Sequence, residues 1–280
     1  MTTNSSLRII SRRRAPIDSA LGSASGRIAQ CKTLCSTCKL RGLCLPCCGL
    51  NRAEMDVADR LVFNRSRVRR GECLYRAGER FTSLYAVRNG FFKSTAVLDN
   101  GRDQVTGFSM TGEVLGLDGI APERHACNTV ALEDSDVCVI PFAKLQELAH
   151  KIPSLQRHFH RMMSREIVRE HGVILLLGRM NAEERVAMFL LNLSQRFAAC
   201  GYSPSEFNLR MTREEIGSYL GLKLETVSRT FSKFQDEGLL GVRQKFIRIL
   251  DSAGIERVMG RELDCTDAGT AGGDRRRTAG

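Results

Sequence analysis

The sequence predicts an α+β protein built from a β-barrel or β-sandwich, a long helix and a helix-turn-helix with a hairpin wing, in that order. Three observations carry this prediction. Between residues 60 and 142, short apolar runs alternate with turn signals about every ten residues. Residues 154–178 then place apolar side chains at spacings of three and four, the period of one helix face. Residues 211–250 combine a helix start, a glycine turn, a second helix and a short hairpin.

Length and charge limit the classes of protein that this chain can belong to. At roughly 150 residues per domain, its 280 residues suggest two domains. A net charge of +11 favours polyanionic partners, nucleic acid before an anionic membrane surface. No run approaches the ~18 apolar residues of a membrane span, and the first twenty residues lack the apolar core of a secretory signal. We therefore expect a cytoplasmic protein with no membrane partner.

The β region carries Asn-Gly pairs at 89–90 and 100–101, each flanked by apolar runs. Asn-Gly between alternating apolar residues is a strong hairpin signal, so both pairs predict hairpin turns. Strands do not alternate with helices here, and neither GxGxxG nor GxxxxGK[ST] occurs. The sequence thus argues against a dinucleotide-binding or P-loop fold.

The long helix has a carboxylate inside its apolar stripe. Two such helices paired along this stripe would bring two Glu170 side chains close together between Ile167 and Ile174. Like charges at a dehydrated seam disfavour association, so these three residues form a candidate dimer switch with a monomeric resting state. Alternatively, Glu170 lies to the side and pairs with Arg165 or Arg169 of the partner helix. The stripe comprises Phe159, Met163, Ile167, Glu170, Ile174 and Leu177.

The helix-turn-helix follows a further helix predicted over residues 182–200. Thr212 is the expected N-cap of its first helix, with Glu215 completing a capping box. Gly221 permits the turn, and the second helix begins near Leu224. Val227, Phe231 and Phe234 are expected to face inward.

The outward face of that second helix is the candidate DNA-reading surface. Its N-terminal end can enter the major groove and place an arginine against guanine. Residues 241–250 predict a hairpin wing that contacts phosphates through Arg243 and Lys245. The alternative is an ordinary helical hairpin with a solvated charged face. The outward residues are Glu225, Thr226, Ser228, Arg229 and Lys233.

Eleven cysteines are unusual for a chain without a secretory signal, and six of them fall between residues 31 and 48. In a reducing compartment, clustered thiols indicate metal ligands or redox groups. Four thiolates can complete a zinc site or an iron–sulfur cubane. The irregular C-x2-C-x5-C spacing, with a distant fourth cysteine, favours a cluster over zinc, while a redox thiol site stays open. The spacing is Cys31-x3-Cys35-x2-Cys38-x5-Cys44, followed by Cys47 and Cys48.

These motifs together resemble the CRP/FNR family of bacterial transcription regulators, and most closely its oxygen-sensing members. The resemblance covers roughly residues 31–250. It rests on C-x2-C-x5-C-x-P at 35–46, SLYAVRNGFFKS at 83–94, DVCVIPF at 136–142, ILLLGRMNAEERVAMFLLNLSQRF at 174–197 and ETVSR at 225–229.

The resemblance implies a specific division of the chain. It implies a β-roll sensor domain, a jelly roll of the cyclic-nucleotide-binding type, followed by a dimerisation helix and a winged helix-turn-helix. The expected parts are a disordered tail at 1–30, the cysteine-rich segment plus β-roll at 31–153, the helix at 154–180, the DNA-binding domain at 181–255 and a mobile tail at 256–280.

The resemblance also implies a [4Fe-4S] cluster held by Cys35, Cys38, Cys44 and Cys138. Cys127 is the rival fourth ligand by chemistry, but its neighbours do not match the family pattern. The cluster-loaded homodimer would bind a palindromic operator of TTGAT and ATCAA half-sites, read by Glu225, Ser228 and Arg229. Oxygen would degrade the cluster and release the DNA, and RNA polymerase is an expected partner of the activator or repressor.

Two other functions are weighed against this one. A cyclic nucleotide is not expected, because Gly116 is followed by Leu117 instead of the family's ribose-binding Glu, and Arg124 by His125. An enzyme is not expected either, because the five histidines form no grouping with Asp or Ser. The alternative within the same fold is a regulator that uses its thiols for zinc or redox sensing, without a cluster.

Overall fold

A computed structural model describes residues 38, 51, 53–55, 59, 64–97, 101 and 103–260 of the chain. These residues form two compact units that divide between His171 and Gly172, inside one long helix. The predicted tail at 1–30 lies outside the described residues.

The first unit contains two four-stranded antiparallel sheets. In the first sheet the strand order is β1-β8-β3-β6, and in the second it is β2-β7-β4-β5. This arrangement confirms the predicted β-roll. The strands are β1 (Asn64–Val68), β2 (Cys73–Tyr75), β3 (Ser83–Asn89), β4 (Phe91–Val97), β5 (Asp103–Met110), β6 (Val114–Leu115), β7 (Asn128–Ala131) and β8 (Ser135–Pro141).

Both faces of the first sheet are buried, because its strands present apolar side chains to either side. Val87 and Val137 point between the two sheets, where they pack with Phe92 of the second sheet. Leu84 and Ile140 point outward from the same strands, in keeping with the two-residue period of a strand. Two helices cover this outer face, α1 (Phe142–Lys151) and the start of α2 (Pro153–Arg179).

The two Asn-Gly pairs connect strands in different ways. Gly101 lies between β4 and β5, which pair antiparallel, so the hairpin prediction there is confirmed. The prediction at Asn89-Gly90 is wrong, because β3 and β4 belong to different sheets. At Gly90 (φ 111°) the chain crosses from one sheet to the other and passes so close to β8 that a Cβ would lie 2.8 Å from the Cα of Ser135.

The second unit begins inside α2, at Gly172, and contains the predicted winged helix-turn-helix. A three-stranded sheet in the order β10-β11-β9 forms the wing and its support. Thr212 is the N-cap of the helix α4 (Arg213–Leu220), and the reciprocal hydrogen bonds of Thr212 and Glu215 form the predicted capping box. The elements are α3 (Ala182–Ala199), β9 (Glu206–Asn208), α4 (Arg213–Leu220), α5 (Leu224–Asp236), β10 (Leu240–Arg243), β11 (Phe246–Ile249) and α6 (Ser252–Gly260).

The C-terminal end of the DNA-binding unit extends further than predicted. Residues 256–260, expected to begin a mobile tail, are the last part of α6. This helix packs against α3 and buries Ile255 and Val258. The segment is too short to show a helical period in the sequence, and its contacts with α3 stabilise it. Residues 261–280 lie outside the described residues.

Among the helices that the structure describes, none has both the length and the apolar composition required to cross a bilayer.

The contrast between the two Asn-Gly glycines predicts unequal costs for the same substitution. Gly101→Ala places a side chain at φ 78° with nothing within 4 Å, so it should cost about 1–2 kcal/mol of unfolding free energy. Gly90→Ala adds a collision with the backbone of β8 and should cost at least ~4 kcal/mol. Urea unfolding of both variants checks this, and equal costs would contradict the close approach at Gly90.

Candidate nucleic-acid interface and metal centre

The α5 helix has one buried face and one exposed face. Val227, Phe231 and Phe234 are buried, as the sequence predicts. On the other face Glu225, Ser228 and Arg229 are exposed at or near the N-terminal end. The Gly221 backbone is left-handed (φ 64°) and ends α4 just before this helix, as expected. The three predicted base-reading residues therefore share one accessible surface, which suits a major groove.

Arg213 packs the first helix of the motif onto the second, a role that the sequence analysis missed. Its guanidinium carbon lies 3.4 Å from the ring centroid of Phe231, a cation–π contact. Burial lowers the pKa of Arg213 to about 10, so the side chain stays cationic at neutral pH. In the sequence Arg213 is one basic residue among many, and only the folded chain shows that it covers Phe231.

Lys233, predicted to be exposed on α5, and Lys245, predicted to face a phosphate, have protein partners as well. Lys233 is exposed, but its Nζ lies 2.5 Å from Glu183 Oε1 on α3. Lys245 Nζ lies 3.4 Å from the carbonyl oxygen of Arg210. Arg243, at the tip of the wing, is exposed. The wing therefore offers Arg243 more directly to a phosphate than α5 offers Lys233.

The first turn of α3 was not singled out in the sequence analysis. Asn181 caps the helix and forms a capping box with Glu184. The guanidinium of Arg185 donates hydrogen bonds to the carbonyl oxygens of Leu177, Met180 and Leu220. A single side chain thus joins the end of α2 to the end of α4.

Cys138 lies on β8, on the outer face of the first sheet. Its backbone is paired with Arg65 of β1 and Ala86 of β3. Its side chain packs against the apolar cluster under α1 and α2, and Met55 packs against that same cluster. The neighbouring Glu54 accepts a hydrogen bond from Ser154 Oγ at 2.8 Å. The segment that follows the cysteine block is therefore anchored on the face that carries Cys138.

The other predicted ligands are only partly described. Cys38 has a free, half-buried thiol. Cys35 and Cys44 lie outside the described residues, as do Cys31, Cys47 and Cys48. Over the ranges that are described, no three His, Cys, Asp or Glu side chains come together as a metal site. The predicted ligand set consequently stays a prediction.

Cys127 has a different setting from Cys138. It directly precedes β7 of the second sheet, and its sulfur lies 3.8 Å from the Thr106 hydroxyl. Burial raises the pKa of the Cys127 thiol, and the nearby carboxylates of Asp118 and Glu170 raise it further. Metal ligation requires the thiolate, and a raised pKa disfavours the thiolate. The environment of Cys127 is therefore poorly suited to a metal ligand.

Aromatic side chains pack together in the interior of the β-roll. His125 is buried and stacks on Tyr75, with ring centroids 3.7 Å apart. A Cβ at Gly116 would lie 3.5 Å from the His125 ring. Asp118 holds the loop by accepting backbone hydrogen bonds from Ala126 and Cys127. Arg124 is exposed, and its guanidinium donates a hydrogen bond to the carbonyl oxygen of Gly78.

The predicted switch residues lie on an exposed face of α2. Ile167 is 54% exposed and Ile174 is 65% exposed, and Glu170 lies exposed between them. Val168 and Leu175 widen the apolar surface. Arg169, which the alternative pairs with Glu170 of a second chain, already contacts Glu166 and lies 3.8 Å from Glu113.

Comparison with known proteins agrees with this geometry. Residues 184–258 match the Crp-like helix-turn-helix domain, and residues 65–151 match the cyclic nucleotide-binding domain. The transcriptional regulatory protein Btr of Bordetella pertussis is 47% identical over 81% of this chain and 94% of its own length. The fumarate and nitrate reduction regulatory protein of Escherichia coli is 42% identical over 82% of this chain and 92% of its own length.

A solved structure extends the comparison to the fold. FixK2 from Bradyrhizobium japonicum is 32% identical, with a TM-score of 0.65 over 70% of this chain and 97% of that one. The relatives are transcription regulators and not enzymes, as the sequence analysis expected. With its β-roll, long helix and winged helix-turn-helix, the chain belongs to the CRP/FNR family of DNA-binding transcription regulators.

Proposed function

We propose that this regulator senses oxygen through a [4Fe-4S] cluster on Cys35, Cys38, Cys44 and Cys138, and that oxygen thereby controls its binding to a palindromic operator as a homodimer. The observation that carries the proposal is the position of Cys138. This thiol lies on the outer face of the first sheet, where Met55 anchors the segment that follows the cysteine block.

The chain connecting these groups is long enough to bring them together. Cys44 precedes Met55 by 11 residues, a length that spans up to ~36–40 Å when extended. A segment anchored at Met55 can therefore reach Cys138 with length to spare. The donor set also fits, since thiolates are the usual ligands of iron–sulfur clusters. When bound, the cluster would supply a reactivity toward oxygen that the thiols alone lack.

The exposed face of α2 supports dimerisation. Ile167 and Ile174 leave a large apolar surface in water, and pairing with a second copy would bury it. Glu170 would then bring two carboxylates to the seam, a cost that favours the monomer. A change of a few kcal/mol in the packing of this helix is enough to shift such an equilibrium. Ile167, Glu170 and Ile174 therefore act together as the dimer switch.

The exposed end of α5 supports operator recognition by Glu225, Ser228 and Arg229. Arg229 is the strongest candidate for a base contact, because a guanidinium can donate two hydrogen bonds to one guanine. Arg243 at the wing tip suits a phosphate, which carries no sequence information. RNA polymerase is the further partner that a regulator of this family implies.

The aromatic side chains packed inside the β-roll argue against a cyclic nucleotide as the signal. Tyr75 of the second sheet stacks on His125, and the His125 ring lies 3.5 Å from where a Cβ at Gly116 would be. The side chain of Leu117 also cannot accept a hydrogen bond from a ribose hydroxyl. Residues 65–151 thus retain the fold of a cyclic nucleotide-binding domain but lack the family's polar contacts to the nucleotide.

The cluster predicts a specific metal content. Anaerobically purified protein should contain about four iron and four sulfide per chain, and air should remove them together with operator binding. Cys138→Ser should lower the iron content and the visible absorption, whereas Cys127→Ser should keep both. Zinc, or no metal, in the anaerobic protein would instead favour the regulator that uses its thiols for zinc or redox sensing.

The DNA interface predicts different losses for two arginines. Arg229→Ala should cost ~1–3 kcal/mol of operator affinity and relax specificity at one base pair. Arg243→Ala should weaken binding to all sequences alike. It should also reduce the slope of log affinity against log salt concentration by about one. Binding titrations over a series of mutated operators and salt concentrations separate the two. An unchanged affinity for Arg229→Ala would contradict its role as a base reader.

The roll interior predicts no response to cyclic AMP. A ligand at about 1,000 times its Kd stabilises a protein by ~4 kcal/mol, which thermal unfolding detects readily. Cyclic AMP at millimolar concentration should leave the unfolding midpoint of the sensor unit unchanged. A rise that depends on nucleotide concentration would contradict this account of the pocket.

A further inference from the structure

Arg185 connects the ends of two helices through one guanidinium. Its Nε donates to the carbonyl oxygen of Met180 at 2.8 Å. Its Nη2 donates to Leu177 at 3.0 Å, and its Nη1 to Leu220 at 3.0 Å. Leu177 belongs to the last turn of α2, Met180 follows that helix, and Leu220 is the last residue of α4.

These three carbonyls have a particular need for a donor. The last four carbonyls of a helix lack partners within the helix, and its C-terminal end carries partial negative charge. A guanidinium meets both needs, because it is always cationic and holds five donors in a rigid plane. The ammonium group of lysine is a point charge on a flexible stem, and it cannot keep three separated carbonyls in fixed positions.

The same turn of α3 also holds the recognition helix. Glu183 lies two residues before Arg185, and its Oε1 is 2.5 Å from Lys233 Nζ on α5. Asn181 and Glu184 form a capping box that fixes the backbone of this turn. Two positions of one helical turn, Glu183 and Arg185, therefore contact the end of α2, the end of α4 and the side of α5.

We infer that Arg185 is a positioning residue that fixes the direction of the helix-turn-helix relative to the end of α2, and so sets the half-site spacing that the dimer accepts. In a dimer paired along α2, this direction decides how far apart the two recognition helices lie. An operator read by a symmetric dimer requires half-sites about one helical turn apart. The inference depends on the proposed pairing along α2 and is independent of the iron–sulfur cluster.

The test compares operators whose half-sites are closer or further apart. The anaerobic full-length protein is titrated with the palindrome, with versions lengthened or shortened by one base pair, and with a single half-site. In Arg185→Lys, we expect the preference for the correct spacing to fall by about tenfold, the effect of losing one or two well-made hydrogen bonds. Affinity for the single half-site should change less than about twofold, since the base-reading face of α5 is intact.

A matched control lies on the same helix. Arg196 donates to the Asn192 side chain within α3, and Arg196→Lys should keep the wild-type spacing preference. Glu183→Gln removes the ion pair to Lys233 and should relax the spacing in the same direction, by roughly threefold. This second variant provides the answer if Arg185→Lys fails to fold.

The outcomes separate the positioning role from others. An unchanged spacing preference in Arg185→Lys, or in Glu183→Gln where the first variant is unfolded, overturns the inference. An equal loss on every operator and on the half-site also overturns it, because that pattern indicates a merely structural role. Iron content and molecular mass are measured on the same samples. Failure of the cluster proposal would show as absent iron with spacing preference still measurable.

Discussion

The first sheet of the β-roll has to satisfy two apolar environments at once, and the arrangement of the sensor unit depends on this constraint. Alternate residues of β3 and β8 face either the second sheet or the covering helices. A shift in register by one residue would exchange the two faces, so the register is strongly determined. Cys138 lies on the outward face because Val137 and Ile140 are fixed on their own sides. A packing requirement thus places the proposed ligand beside the helices.

The proposed signal acts at the outer face of the first sheet, whereas a nucleotide would bind in the interior between the two sheets. In the interior between the sheets, buried Tyr75 stacks on buried His125, so a change there would have to disturb packed side chains. The outer face carries Cys138 close to the apolar cluster that α1 and the start of α2 share. A group bound there would act on the helix that carries the proposed dimer switch, without passing through the roll interior.

The sequence predicted the parts of the molecule that depend on local patterns. The capping box at Thr212 and Glu215, the turn at Gly221 and the buried face of α5 all follow from spacing, and all are present. Asn89-Gly90 was misread because the residues of a hairpin turn are the same whether or not the chain changes sheets. Residues 256–260 were missed because contacts with α3, which the local sequence does not reveal, keep them helical.

The candidate site was predictable only in its motif residues. Cys138 was identified from a resemblance, since a single thiol in a strand has no distinguishing spacing. Arg185 and Arg213 were not identified at all, because an isolated arginine looks the same whether it faces solvent or covers a ring. Their roles arise from what the fold brings to them, three carbonyls in one case and Phe231 in the other.

Charge distribution explains why cations that bind protein groups matter in a basic chain. With a net charge of +11, the protein has cations to spare for DNA. Arg185 and Lys233 are nevertheless committed to protein groups, and both contacts lie in the DNA-binding unit. A cation that contacts phosphate adds affinity for any sequence, whereas one that holds two helices adds affinity only where both half-sites fit. The second use raises specificity, which a regulator needs most among many competing sites.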